Sequence, residues 1–197
     1  MDELNKYQKI SVISMIIVFS GVFGWVYEFI FYFFNSGMKT WYMQGGNFLP
    51  WINIYAIGAI VVLILTKKIR NKPWLVFLVS AIGTAIVEYV GGYFCLKVFN
   101  ARYWDYNIEI WNWGNINGFI CFRSILCFGI SSVFLIYFML PIFIKIVKKY
   151  NTKKVMIISV VILSIFLFDE FYNLILSKIL NLPNAINIYK SIGFKYM

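Results

Sequence analysis

The chain contains no histidine, and only 13% of its 197 residues are charged. Acids are scarcer still, eight against eighteen lysines and arginines, with three cysteines and four prolines. Each shortage excludes something. Without histidine there is no imidazole acid–base chemistry and no histidine-ligated metal. Cys95, Cys121 and Cys127 have no C-x-x-C spacing, so they form neither a disulfide scaffold nor a metal site and read as small apolar packing residues. The P-loop, nucleophile-elbow, H-E-x-x-H and EF-hand patterns are also missing. No cofactor, no metal and no hydrolytic or ATP-splitting activity is expected of this chain.

What is present is apolar: 61% of residues are hydrophobic and 21% aromatic. A soluble domain is typically about 45–50% apolar, and at this length folding buries only about 70% of the surface. The composition predicts an all-α, polytopic transmembrane helical bundle. A spanning helix needs roughly 20 apolar residues, and five stretches meet or approach that: Ile10–Phe34, Phe48–Leu65, Trp74–Phe99, Phe119–Ile144 and Val155–Ser177. Residues 1–177 would be one transmembrane domain. Residues 178–197 would be an interfacial tail, because Pro183–Met197 is too short and polar to cross. The first stretch is too long for a signal peptide and lacks an A-x-A-like site, so it reads as a retained helix. Pro50 suits the first turn of the second stretch, and Pro141 is expected to kink or end the fourth.

The excess of cations follows topology. Lys6, Lys9, Lys67, Lys68, Arg70, Lys72, Lys145, Lys148, Lys149, Lys153 and Lys154 fall on one side of this arrangement. Lys39, Lys97, Arg102, Lys178, Lys190 and Lys195 fall on the other. The positive-inside rule then places the N-terminus in the cytoplasm and the C-terminus outside, in a multi-pass plasma-membrane protein. The charge has no need of nucleic acid. The partners implied are the lipid bilayer, and a second copy or a separate ATPase or membrane subunit, since five spans make a thin bundle.

Charges inside the spans are more informative, because they are costly in hydrocarbon and usually face protein or a watery cavity. Glu28, Glu88, Asp169 with Glu170, and Arg123 occupy four different spans. Glu28, Glu88 and Asp169 lie about 18, 14 and 14 residues in from the cytoplasmic ends, which at about 1.5 Å per residue puts them in the outer half. Gly21 and Gly24 share the face of Glu28. Ala81, Thr84, Ala85, Gly91, Gly92 and Cys95 share that of Glu88, so both acids should look inward across closely packed helices. Asp169 shares a face with Tyr172 and Asn173. Two readings stand side by side: Arg123 pairs with carboxylates as structural glue, or the group forms a polar cavity for a cation, a proton or a headgroup. Four acids against one embedded arginine exceed what pairing neutralises.

The loop Asn100–Asn117 carries Tyr103, Trp104, Tyr106, Trp111 and Trp113. It reads either as an aromatic belt at the headgroups or as a lid in which Arg102 and Asp105 supply hydrogen bonds. Gly45, Gly46, Gly114 and Gly118 permit tight turns in the two loops on that side.

Three runs resemble one bacterial family. FSGVFGWVYEFIFYF (Phe19–Phe33) resembles its G-W-x-x-E signature, and VEYVGGYFCLKVFNARYWDYN (Val87–Asn107) its E-x-x-x-G-Y and R-x-W-D-Y. NINGFICFRSILCFG (Asn115–Gly129) is similar to its N-x-x-G-x-I-C-L segment. The family is the putative ABC-transporter type IV family, the CmpB-like permeases, and the resemblance is that of a divergent member: Pro50, Tyr55 and Gly58 agree with the family pattern, whereas Asn53 and Ala56 stand where it resembles proline and glycine. Gly24, Trp25, Glu28, Glu88, Gly92, Arg102, Trp104, Asp105, Tyr106, Asn117 and Gly118 fall on motif positions. The resemblance implies a transport role and a common site at Glu28, Glu88 and the R-x-W-D-Y segment.

The expectation is therefore a membrane subunit of a transport system. Its ligand-binding residues are Glu28, Glu88, Arg102, Trp104, Asp105, Tyr106, Asn117, Arg123, Asp169 and Glu170, with Gly21, Gly24, Gly91 and Gly92 as packing positions. The alternative is a non-transporting membrane protein that binds lipid headgroups or a protein partner, in envelope maintenance or immunity. An intramembrane enzyme acting on lipid has no motif in its favour.

Overall fold

The computed structural model describes residues 3–196. It is helical, with α1 (Lys6–Asn35), α2 (Asn53–Leu65), α3 (Pro73–Phe99), α4 (Phe122–Lys149), α5 (Thr152–Ile179) and α6 (Ala185–Ser191), and no strand among the described residues. Helices α1, α3, α4 and α5 are long and apolar enough to cross a membrane, which makes this a multi-pass membrane protein.

Local chemistry sets the ends. Asn5 accepts from the Gln8 amide at 2.9 Å while the Gln8 side chain accepts from Asn5 N–H at 3.1 Å, a reciprocal cap that opens α1. Pro73 opens α3, where its missing N–H costs nothing. Asn151 caps α5 by accepting from Lys154 N–H at 3.2 Å. Pro141 does not end the fourth segment. The helix runs through it to Lys149, with one π turn, Leu135–Met139, just before it. A π turn lets the backbone re-register where proline offers no N–H.

The chain divides into two compact units: residues up to Ala56 together with those from Ile142 onward, and Ile57–Pro141. In the first, α1 packs on α5, and the small residue Gly21 makes room: a Cβ there would lie 2.8 Å from the Phe166 ring. In the second, α3 packs on the start of α4. Gly129 admits the Phe77 ring, and Ala81, Thr84, Ala85, Glu88 and Gly92 form the buried face of α3.

The second expected span takes another form. Helix α2 starts at Asn53, so Pro50 lies outside it, in an irregular segment running from Gly45 to Ile52. Ile52 N–H donates to Gly21 O at 3.0 Å, and Gly21 is midway along the 30-residue α1. The segment thus reaches the middle of α1, and α2 starts there. The 13 residues of α2 supply about 20 Å.

Irregular backbone at this depth is stable only where protein satisfies its polar groups. The Asp169 carboxyl does so. It accepts from Phe48 N–H and Leu49 N–H, each at 3.0 Å, from the Trp51 indole at 3.0 Å and from Asn173 Nδ2 at 2.7 Å. Glu170 accepts from Asn47 Nδ2 at 2.8 Å and Asn53 Nδ2 at 3.0 Å, bracketing the same segment. The tail closes over it: Tyr189 of α6 donates to Phe48 O at 2.7 Å, Ala185 N–H to Asn173 Oδ1 at 2.7 Å, and Met43 N–H to Lys195 O at 2.7 Å.

Two substitutions test this construction by thermal melting in detergent. Asp169→Asn turns an N–H₂ toward donors and should destabilise by roughly 2–5 kcal/mol, with faster hydrogen exchange at residues 45–52; an unchanged melt would contradict the pinning. Gly24→Ala sets a Cβ against the Tyr55 ring and should cost about 1–3 kcal/mol.

Candidate functional site

The residues singled out by sequence divide between the two units. Glu28, Asp169 and Glu170 belong to the first; Glu88, Arg102, Trp104, Asp105, Tyr106, Asn117 and Arg123 belong to the second.

In the first unit Glu28 is half-buried and accepts from the Tyr55 hydroxyl at 3.1 Å. Tyr55 reaches it across Gly24, one turn before Glu28, where a side chain would occupy the ring's place. This is the spacing the sequence offered, glycine and acid on one helical face, with the tyrosine as the group admitted.

In the second unit, the two loop motifs are sewn together. Asn117 and Gly118 both have positive φ, 55° and 74°, and Phe119 N–H returns to Ile116 O at 3.0 Å. That is a type I′ turn, for which Asn-Gly is the favoured pair. The R-x-W-D-Y segment lies along it. Arg102 donates to Asn117 O at 2.9 Å, the Trp104 indole to Phe119 O at 2.9 Å, and Tyr106 N–H to Gly118 O at 3.0 Å. A Cβ on Gly118 would strike the Arg102, Asp105 and Asn107 side chains. Asp105 accepts from Asn107 N–H at 3.0 Å and starts the 3₁₀ turn Tyr106–Ile108. Gly92 of α3 receives the Phe119 ring.

This assembly makes two polar contacts with α3: Asn117 Nδ2 donates to the Tyr89 hydroxyl at 2.9 Å, and Tyr106 reaches the buried Glu88. The Tyr106 hydroxyl donates to Glu88 Oε1, and Ser124 of α4 lies 2.9 Å from Glu88 Oε2. Glu88 is 3% exposed, so both oxygens are held within protein. The guanidinium of Arg123 sits 5.3 Å from the centre of the Tyr106 ring and is ion-paired with Glu109. A buried, hydrogen-bonded arginine pair over an aromatic face is a strong local fastener. Tyr106 thus joins both: its ring carries the arginine, and its hydroxyl holds Glu88.

Glu109 was not marked out by its sequence context, since an acid in a polar loop gives no signal; its 7% exposure does. Ser124 was equally silent, while Tyr55 stands where the family pattern resembles a tyrosine. Asn47 and Asn53 were legible in principle, as amides flanking a proline in an apolar run. The five loop aromatics divide: Trp104 and Tyr106 turn inward, while Tyr103, Trp111 and Trp113 remain exposed. Among the described residues no cluster of histidine, cysteine and acidic side chains is arranged to hold a metal ion.

No curated protein and no solved structure matches the chain. A family model does: the one described as Putative ABC-transporter type IV aligns with residues 15–174, a stretch holding the irregular segment, both polar constellations and the loop motifs. The chain belongs to the Putative ABC-transporter type IV family, and with its four long apolar helices it is a membrane protein of a transport-related kind.

Proposed function

We propose that this chain is the membrane subunit of a transport system, and that Glu88 is the group that exchanges a cation, a proton included, or a small polar solute. Glu28 would be a second such group. The observation that carries the reading is the nature of the partners. Glu88 is held by two hydroxyls, Tyr106 and Ser124, and a hydroxyl can donate to a carboxylate or accept from a carboxylic acid. Such a carboxyl can change its proton or lend an oxygen to a cation while its neighbours rotate. Asp169 and Glu170 are held by amide and indole N–H groups, which only donate; they serve the fold.

In this reading the loop carrying Tyr106 is a lid on the outer side. Arg102 and Asp105 keep it folded on Asn117, and the Arg123–Glu109 pair latches it to α4. With no nucleotide motif in the chain, ATP hydrolysis would come from a separate ATPase subunit.

A second reading, a non-transporting protein whose carboxyls are internal glue and whose ligand is a headgroup or a protein partner, gains from the fully bonded Asp169. Flux separates the two. In proteoliposomes with a trapped pH-sensitive dye and an imposed alkali-cation gradient, Glu88→Gln should lower cation-coupled proton flux about tenfold or more. Tyr106→Phe should lower it less, with melting little changed in either. Flux equal in wild type and Glu88→Gln would sink the transport reading.

A further inference from the structure

The loop that holds Tyr106 also has an outer face, and that face is apolar. Ile108 is 74% exposed, Trp111 52%, Trp113 64% and Ile116 50%, all within one stretch of nine residues. The polar side chains between them are tied back to the protein: Glu109 is buried and paired with Arg123, Asn112 donates to Tyr106 O at 2.9 Å, and Asn115 donates to Asn107 at 2.7 Å nearer the surface. A loop bathed in water would show the opposite arrangement, amides and acids out and isoleucine in.

Its height in the molecule follows from one bond. Phe122, the first residue of the spanning helix α4, donates its N–H to Trp113 O at 2.8 Å. Trp113 therefore sits at the end of a membrane helix. Phe122 itself is 54% exposed, so an exposed apolar residue of the helix adjoins the apolar face of the loop. Helix α3 brings cations to the same end: Lys97, beside the Tyr93 ring at 5.6 Å, and Arg102 just past it. Tryptophans with lysine or arginine nearby mark the headgroup level. The two isoleucines go further, because a purely interfacial belt has no use for aliphatic tips.

We infer that the tip of this loop, Ile108 to Ile116, is inserted into the adjoining phospholipid leaflet, with the isoleucines and Trp111 and Trp113 among the upper acyl chains and Lys97 at the phosphates. The depth expected of such an anchor is about 5–10 Å. The occupant is the lipid surface itself rather than a protein, because the patch adjoins the exposed apolar start of a spanning helix and the same end of α3 carries cations suited to phosphate. Lipid contact on the outer face and Glu88 on the inner face then meet in one rigid loop.

The test uses the full-length protein in phospholipid nanodiscs. The tryptophan emission of wild type minus that of Trp111→Phe/Trp113→Phe isolates these two side chains, and both replacements are conservative at exposed positions. The difference signal should be blue-shifted, strongly quenched by lipids brominated near the headgroup end of the chain, and weakly quenched by aqueous acrylamide. Quenching by acrylamide without quenching by bromolipid would place the loop in water and overturn the inference. Protection from both quenchers would mean that another protein surface covers the loop, and would overturn it equally.

Discussion

A carboxyl group in hydrocarbon must find donors, and an irregular stretch of backbone at the same depth must find acceptors. In the first unit each problem is the other's solution. Asp169 offers its two oxygens to Phe48 N–H, Leu49 N–H, the Trp51 indole and Asn173, which fills the acceptor capacity of one carboxyl group. The rest follows from this contact. Because the segment before α2 ends alongside the middle of α1, α2 starts there and is short. Because Asp169 and Glu170 face that segment, α5 must present them to protein, which fixes the rotation of α5 about its axis. The tail, through Tyr189 and Ala185, then covers the joint. Removal of the carboxyl would leave several groups unpaired at once, so the contact is worth more than one hydrogen bond suggests.

The second unit treats its buried acid differently, and the contrast is chemical. Glu88 meets hydroxyls where Asp169 and Glu170 meet N–H groups. N–H partners fix a carboxyl as an acceptor; hydroxyl partners leave its state adjustable. The Tyr106 hydroxyl is in turn carried by a loop whose own stability comes from elsewhere: the Asn117–Gly118 turn, the Arg102 and Trp104 bonds to it, and the Arg123–Glu109 pair. A tyrosine held this firmly sets the geometry at Glu88 from outside the helix pair, so the loop and the acid work as one part.

How much of this the sequence disclosed depends on what kind of signal each feature leaves. Long apolar runs mark α1, α3, α4 and α5 to within a few residues, because hydropathy is a property of residues. The faces of Glu28 and Glu88 were legible from small residues at helical spacing, since glycine and alanine matter there for what they admit. The segment from Gly45 to Ile52 was not legible as irregular. Phe48, Leu49, Trp51 and Ile52 are as hydrophobic as any helix, and what breaks the helix is a distant acceptor more than a hundred residues along the chain. Pro50 suits the start of a helix for the same reason: proline tolerates a first turn and a loop equally. The π turn ahead of Pro141 likewise depends on the helix having somewhere to continue. In the loop, the motif residues Arg102, Trp104, Asp105, Tyr106 and Asn117 were found as a group, but not the division of the aromatics into inward and outward sets. Glu109 could not be separated from a solvated loop acid by type or spacing.

The imbalance of charge now has a structural reason. Of the eight acids, seven fall among the described residues, and each has a hydrogen-bond or ion-pair partner there. Glu3 meets Lys148, Glu28 meets Tyr55, Asp105 meets Arg102 and Asn107, Glu109 meets Arg123, and the three buried spanning acids have the partners described above. The cations are mostly at helix ends, where a flexible charged head needs only water or phosphate. A membrane fold can accept lysine at many boundary positions because the side chain reaches out of the hydrocarbon. A short acidic side chain has no such reach, so it is kept where some backbone or hydroxyl requires an acceptor. The excess of positive charge is therefore two populations unequal in number for different reasons, cations placed by the bilayer and acids placed one at a time by the hydrogen bonds they complete.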